Sequence, residues 1–279
     1  MHRPIIVVHG GAGAKSELSD GTDVAADAGY KILHKGGSAL DAVEAAVKVL
    51  EDDWRFNAGT GSYMALDGHI EMDASIMDDE GNIGAVAAIS RVRHPISIAR
   101  KVMDLPHVLL VGEGAVQFAR KCGFEDYDPT TEKAIKRLAA VKEKLAKKEF
   151  PPWSKKWNAI GCDTVGAVAC DAKGRFAAAN STGGTSWKMY GRVGDTPIIG
   201  AGIFCGKDGA VVATGIGEEI IRKVLCKEIY NRIGTMGVQQ ACEWGIALYP
   251  KTVAIGVIAV GRGGWGRACN RDMATSVRE

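Results

Sequence analysis

The amino-acid sequence predicts an α+β protein in which sheets are covered by layers of helices. Three observations carry the prediction. Short β-branched or alternating runs broken by glycine occur in both halves of the chain; helical periodicity is confined to separate blocks between them; and the two alternate too irregularly for a repeating βαβ array. No repeat of fixed period is present. Hydrophobic residues at 46% and charged residues at 24% are ordinary globular values, which exclude a disordered or collagen-like chain. The 36 glycines amount to about 13% of 279 residues, against a usual value of roughly 7%. With only 8 prolines beside them, they do not form a linker protein and must serve particular backbone positions.

The elements follow in order. Ile5 to Val8 reads as a buried strand that runs into a glycine loop, Gly10 to Gly13. A helix fits Asp23 to Lys35, closed by Gly36 and Gly37; a second fits Ser38 to Asp52, with Ser38 as N-cap and Ala42, Ala46, Val49 and Leu50 on one face. From Phe56 to Ile89 the runs SYMALDG, IEMDASIMDDEG and GAVAAIS predict antiparallel strands. Helices return at Pro95 to Met103 and Gly114 to Cys122. The stretch Thr130 to Lys148 is helix-compatible but densely charged and leads into Phe150-Pro-Pro-Trp153, so residues 129–158 read as an exposed connector. Strands TVGAVACD, GRFAAANST and GAVVATG come next. Helices from Glu218 to Ile233 and Val238 to Tyr249 follow, and then the strand VAIGVIAV.

Formal net charge is +2, too near neutral to imply a nucleic-acid or membrane partner. Between Glu132 and Lys156 nine Lys or Arg face three Glu, so the basic character belongs to the connector. Seven cysteines without a C-x-x-C pair argue against a disulfide framework and a zinc ribbon, and fit a reducing compartment. The apolar run after Met1 is too short for a signal peptide, and no later run reaches the roughly 18 residues of a membrane span. A cytoplasmic protein is the expectation.

The glycine cluster does not make a nucleotide site. A P-loop needs a glycine where Ala14 precedes Lys15-Ser16, and the dinucleotide fingerprint needs one at Ser16. The six histidines show neither H-x-x-x-H nor H-E-x-x-H spacing, no EF-hand is present, and G-x-S-x-G is absent. Asp52-Asp53 and Asp78-Asp79 read as solvated turns.

What remains is a set of threonines and glycines at four strand ends: Asp163-Thr164, Ser181-Thr182-Gly183-Gly184, Gly191-Arg192-Val193-Gly194-Asp195 and Thr214-Gly215-Ile216-Gly217. Taken singly, Thr182 and Thr214 read as strand-end residues, Arg192 and Asp195 as a surface ion pair, and Asn57 as a turn residue. Taken together they fit a nucleophile. A threonine hydroxyl needs a base beside it, and its own α-amine supplies one once the preceding peptide bond is cut. That amine titrates near 8, where a general base is effective at working pH. An exposed connector just before Asp163-Thr164 is a suitable place for such a break.

The motifs HGGAG, GGSALDAVEAAV, VLEDDWRFNAGTGS, EMDASIMD, DTVGAVACD, NSTGGTSWKMYGRVGDTPIIGAG and TGIGE, in this order, resemble the plant-type (type 2) asparaginase and isoaspartyl peptidase family of N-terminal-nucleophile hydrolases. That family also includes aspartylglucosaminidases and threonine aspartases. The resemblance implies a four-layer αββα sandwich in one domain, cut between Asp163 and Thr164 into chains 1–163 and 164–279. It implies Thr164 as nucleophile and base, with Thr182 tuning its hydroxyl and Asn57 orienting groups beside it. Arg192 and Asp195 would clamp the substrate's α-carboxylate and α-amino group. Thr214 and the Gly215 N–H would form the oxyanion hole, with Gly217 touching the ligand through its backbone. Carbonyls of Leu50, Glu51, Asp53, Phe56, Ala58 and Thr60 would hold a structural sodium ion; no organic cofactor is implied.

The implied activity is hydrolysis of L-asparagine, of β-aspartyl dipeptides, or of both, by a dimer of αβ pairs acting on a small-molecule substrate. Rivals are a threonine-aspartase-like or glycosylasparaginase-like activity, and an uncleaved relative that only binds amino acids or a protein partner. Two departures stand out. Ile216 occupies a position where relatives often carry a polar residue, and the tail NRDMATSVRE is short. Asn180-Ser181-Thr182 matches a glycosylation sequon, which reads as fortuitous with a catalytic threonine inside it.

Overall fold

The computed structural model describes residues 2–147 and 164–279. In chain order the elements are β1 (Ile5–His9), α1 (Ser19–His34), α2 (Ala39–Asp52), β2 (Met72–Asp78), β3 (Ile83–Ile89), α3 (Pro95–Val102), β4 (Leu109–Val111), α4 (Gly112–Lys121) and α5 (Glu132–Ala146). After the gap come β5 (Val165–Cys170), β6 (Phe176–Thr182), β7 (Ile203–Gly206), β8 (Gly209–Gly215), α6 (Gly217–Lys223), α7 (Leu225–Met236), α8 (Val238–Ala247), β9 (Ile255–Gly261), β10 (Gly264–Cys269) and β11 (Thr275–Arg278).

The strands form two sheets, ordered β11-β1-β5-β6-β2-β3-β4 and β10-β9-β8-β7. Neighbours are antiparallel except β3 and β4. β5 and β6 are buried on both faces, which explains their continuous Ala/Val sequence. On one side α1 to α4 cover the larger sheet, burying Ile6, Leu33, Leu50 and Ile96. On the other, Val168, Phe176 and Ala178 meet Ile203, Val212 and Ile258 of the smaller sheet. That sheet is covered in turn by α7 and α8 through Leu225, Ile229 and Cys242. The layers are therefore α, β, β, α, as the resemblance implies. Each fully buried Leu or Ile contributes about 1.5–3 kcal/mol relative to its exposed state.

Local chemistry sets several elements. Ser38 caps α2, its hydroxyl accepting from Asp41 N at 3.1 Å. Residues Ala39, Ala42, Val43, Ala46, Val47 and Leu50 then lie on the buried face. Pro95 opens α3 at a position where a missing N–H costs nothing.

The structure corrects three expectations. SYMALDG is not a strand, because its backbone is tied elsewhere: Tyr63 N donates to Asn57 Oδ1, and Leu66 N to the Lys188 carbonyl. The helix expected from Glu218 to Ile233 breaks at Val224, a left-handed residue (φ 50°). There Cys226 N and Lys227 N leave the helical pattern to donate to the Ala201 and Gly200 carbonyls. Part of the connector is not exposed: α5 buries Ala134 and Val141, sets Arg137 3.8 Å from the Tyr63 ring centroid, and sends Lys133 Nζ to the Arg55 carbonyl at 2.7 Å. Residues 148–158 of that connector, and Cys162 and Asp163, lie outside the described residues. The tail, though short, is built into the fold. β11 pairs with β1, and Gly10 N and Gly13 N donate to the Ala274 and Asp272 carbonyls, so the tail seats the glycine loop.

Among the described residues no helix is long and apolar enough to cross a membrane. The described cysteines are free thiols, with Cys170, Cys205, Cys226 and Cys242 buried, Cys269 half-buried and Cys122 exposed.

Candidate active site

Thr164 stands directly before β5, where the antiparallel register Val165↔Ser181 sets it beside Thr182 at the end of β6. Its hydroxyl donates to Thr182 Oγ1 at 3.1 Å, and Thr182 Oγ1 also accepts from Gly184 N at 3.0 Å. Both threonines are buried. Asn57 supports this corner rather than merely turning the chain. Its Nδ2 donates to the Gly184 carbonyl at 2.6 Å, its Oδ1 accepts from Tyr63 N at 2.8 Å, and its carbonyl accepts from Gly183 N at 2.9 Å.

Thr214 and Gly215 end β8 in the smaller sheet, close to the glycine loop. Ala12 N donates to Thr214 Oγ1 at 3.1 Å, so the loop orients this hydroxyl. Gly215 adopts φ 135°, and a β-carbon there would lie 2.2 Å from the Ala254 carbonyl, so a side chain is excluded. Ile216 is fully buried and its N–H donates to Ala254 O at 3.0 Å. Its side chain therefore packs in the core, which accounts for an apolar residue at this position.

The remaining pair is arranged differently from a surface ion pair. Arg192 is bound through Nε and Nη2 to Glu218, at 3.0 and 2.9 Å. Burial raises the Glu218 carboxyl, but the Arg192 hydrogen bonds and charge outweigh it and leave the group below its ordinary value. Asp195 is buried, its Oδ2 has no hydrogen-bond partner among the described residues, and burial pushes it up to about 7 against the pull of Arg192. Gly217 closes the group: a β-carbon there would lie 2.7 Å from Asp195 Oδ1 and 3.0 Å from Arg192 Nη2. A cation beside an unpaired buried carboxyl is a fitting receptor for an α-amino acid head.

The carbonyls expected to hold sodium belong to the end of α2 and the loop after it. At Gly59 a β-carbon would lie 2.4 Å from the Glu51 carbonyl, and at Gly61 1.8 Å from that of Phe56 and 2.7 Å from that of Trp54. Glycine is thus required at both positions by the close approach of the backbone carbonyls in this loop. Among the described residues no cluster of His, Cys, Asp and Glu could hold a metal ion.

Sequence reasoning assigned no role to five residues that line or brace this site. Glu218 holds Arg192. Glu71, Asp73 and Lys188 lie buried behind the Gly191–Asp195 loop. His9, paired with Gly166 in the sheet, is fully buried next to the Thr164 backbone; burial pushes its pKa down to about 3, so the ring is neutral. All five sit inside motifs quoted above, but the sequence alone does not show which way they face. Asn180 of the sequon is fully buried, with Nδ2 on the Gly202 and Ala213 carbonyls at 3.1 and 3.0 Å, so it is no surface acceptor.

Known proteins share much of this sequence. The chain is 49% identical over 285 residues to a plant-type L-asparaginase of Pyrococcus abyssi, covering 95% of this chain and 92% of that protein. It is 47% identical over 241 residues to an isoaspartyl peptidase/L-asparaginase of Macaca fascicularis, covering 80% and 75%. It is 41% identical over 260 residues to an N(4)-(beta-N-acetylglucosaminyl)-L-asparaginase of Elizabethkingia miricola, covering 87% and 74%. The model of the family described as asparaginase matches residues 2–278, and on that match the chain belongs to the asparaginase family.

Proposed function

We propose that the protein is a threonine amidohydrolase that cuts its own chain before Thr164 and then hydrolyses L-asparagine, β-aspartyl dipeptides, or both. The Thr164–Thr182 hydrogen bond, with Arg192 close to Gly184 of the same corner and Gly217 packed against Arg192 and Asp195, carries the reading. Relatives at 49% and 47% identity are named L-asparaginase and isoaspartyl peptidase/L-asparaginase, which supports the substrate class.

In this reading cleavage after Asp163 frees the Thr164 α-amine as general base. The amine takes the hydroxyl proton as Oγ1 attacks the side-chain amide carbonyl. Negative charge develops on the carbonyl oxygen, facing the Thr214 hydroxyl and the Gly215 N–H. The proton passes to the departing nitrogen, leaving as ammonia or as the amine of an amino acid. Water then cleaves the β-aspartyl ester, returning the proton to Thr164. Arg192 holds the α-carboxylate and Asp195 the α-ammonium, and so fix the reacting carbonyl over Oγ1. A sodium ion on the carbonyls of Leu50, Glu51, Asp53, Phe56, Ala58 and Thr60 would stiffen the loop that carries Asn57. No organic cofactor is needed. The enzyme would work in the cytoplasm, where its free buried thiols are stable, as a dimer of αβ pairs.

A second reading is glycosylasparaginase-like activity, favoured by the 41% relative of that name. The deciding experiment offers the cleaved protein asparagine, β-Asp-Leu and a glycosylated asparagine, and measures ammonia, leucine and amino-sugar release. Release from asparagine or β-Asp-Leu supports the proposal. Turnover of the glycosylated compound alone favours the second reading, and no turnover of any of the three leaves a binding protein.

A further inference from the structure

Behind the Arg192–Asp195 loop lies a buried charged group in which each member holds a different part of the site. Lys188 is 3% exposed, Asp73 3% and Glu71 5%. Lys188 Nζ donates to the Glu71 carbonyl. The Glu71 carboxylate accepts from Gly191 N at 2.7 Å, and Asp73 accepts from Gly194 N at 3.3 Å through one oxygen and from Ala88 N at 2.8 Å through the other. Two acidic side chains at the start of β2 thus hold the backbone on both sides of Arg192.

The bond to Ala88 comes from an irregularity in the sheet. The β2–β3 register shifts between Met72 and Ala74, and Ala88 takes φ 47°, a conformation costly for a residue with a side chain. The chain accepts this strain next to Asp73, and the Ala88 N–H there donates to Asp73 Oδ1.

Lys188 also reaches the nucleophile's support. A β-carbon at Gly184 would lie 2.9 Å from Lys188 Cδ and 3.3 Å from its Nζ, with Arg192 Nη1 at 3.6 Å. Gly184 is the residue whose N–H donates to Thr182 Oγ1. Two cations, Lys188 and Arg192, therefore meet four carboxyl groups here, those of Glu71, Asp73, Asp195 and Glu218. Burial pulls Lys188 down to about 8, while Asp73 and Glu71 favour its charged form. Burial raises Asp73 while the Lys188 charge pulls it back toward its ionised form; without this ammonium Arg192 would be left to oppose whatever negative charge the group carries where a substrate's α-carboxylate has to bind.

We propose that Lys188 is a positioning residue whose buried ammonium offsets Glu71 and Asp73 and so keeps the loop at residues 191–194 able to receive an α-carboxylate. The inference rests on the reading of Arg192 and Asp195 as a substrate clamp. Lys188 touches no reacting atom, so its loss is expected in binding rather than in the chemical step.

The test uses the full-length protein after self-cleavage and compares wild type, Lys188→Met, Glu71→Gln and the double variant. Kinetics on asparagine give KM and kcat, and calorimetry gives Kd for L-aspartate and for 3-aminopropanamide, which lacks the α-carboxylate. Lys188→Met is expected to raise KM and the aspartate Kd about tenfold, with kcat changed less than about threefold. Its Kd for 3-aminopropanamide should stay at the wild-type value. Glu71→Gln keeps an acceptor for Gly191 N, so adding it to Lys188→Met should bring the aspartate Kd back to within about threefold of wild type. An unchanged aspartate Kd in Lys188→Met, or no recovery in the double variant, overturns the proposal. If Lys188→Met does not fold, Glu71→Gln alone reads the same balance: a tighter aspartate Kd supports it, and an unchanged or weaker one overturns it. Wild-type protein that binds aspartate but releases no ammonia from asparagine contradicts the catalytic reading and leaves the charge balance to be decided by the Kd values.

Discussion

The Thr164 hydroxyl donates to Thr182 Oγ1 across 3.1 Å, and Thr182 Oγ1 is held in turn by Gly184 N–H. An acceptor fixed in this way keeps the Thr164 hydroxyl in one rotamer and polarises it. Replacing Thr182 with Ala is expected to lower kcat on asparagine about 100-fold, while Ser, which keeps the oxygen, should stay within about tenfold. Steady-state kinetics on cleaved protein check this, and equal losses in the two variants would remove Thr182 from the account.

Thr214 Oγ1 accepts from Ala12 N, which leaves its own proton available to a developing oxyanion. Thr214→Val keeps the shape and removes that donor. Turnover should fall about 100- to 1000-fold with little change in KM. A loss confined to KM would place Thr214 in ground-state binding instead.

Asp195 is expected to give the site a pH dependence. Burial lifts its folded-state pKa from 3.8 to about 7, with Arg192 opposing and Glu218 and Asp73 adding to the rise. Below that value the group is neutral and takes an α-ammonium poorly, so KM for asparagine should fall as pH rises through about 7. The stability effect has the opposite sense. Between 3.8 and about 7 the folded chain binds more protons than the unfolded one, so this group's contribution is full below 3.8 and is lost as pH rises. Asp195→Asn should therefore stabilise the protein at pH 8 by at most roughly 4 kcal/mol and give no such gain near pH 4. Urea unfolding at the two pH values tests it.

Glu218 and Arg192 form a half-buried two-pronged pair. The carboxylate aims the guanidinium, and under the proposed function it would also compete with an incoming carboxylate. Glu218→Gln retains an acceptor without the charge and is expected to lower KM about threefold, whereas Glu218→Ala loses the aim and should raise it about tenfold. The same direction of change in both variants would contradict this division.

Much of this was legible in the sequence where local chemistry decides the outcome. Ser38 as a cap, the Ala/Val runs of β5 and β6, and threonines at three strand ends were readable because period, capping and turn chemistry are short-range properties. The break at Val224 was not, since EEIIRKVLCKEIY is a continuous helical pattern and the interruption comes from carbonyls of Gly200 and Ala201 about 25 residues earlier. Helix α5 looked like a solvated run because its charged residues are useful through their stems and rings' faces: Arg137 lies over Tyr63 and Lys133 reaches Arg55. The Glu218–Arg192 and Glu71–Gly191 bonds join residues 26 and 120 positions apart, and no spacing rule exposes such partners.

The proposed activity requires Thr164 to become an N-terminal residue. Intact-mass measurement and N-terminal sequencing of purified protein after long incubation test that most directly. Two fragments, 1–163 and 164–279, with threonine at the new N-terminus are predicted, and Thr164→Ala should remain one inactive chain. A single stable chain of 279 residues that still hydrolyses asparagine, or a Thr164→Ala variant that cleaves and turns over, would contradict it.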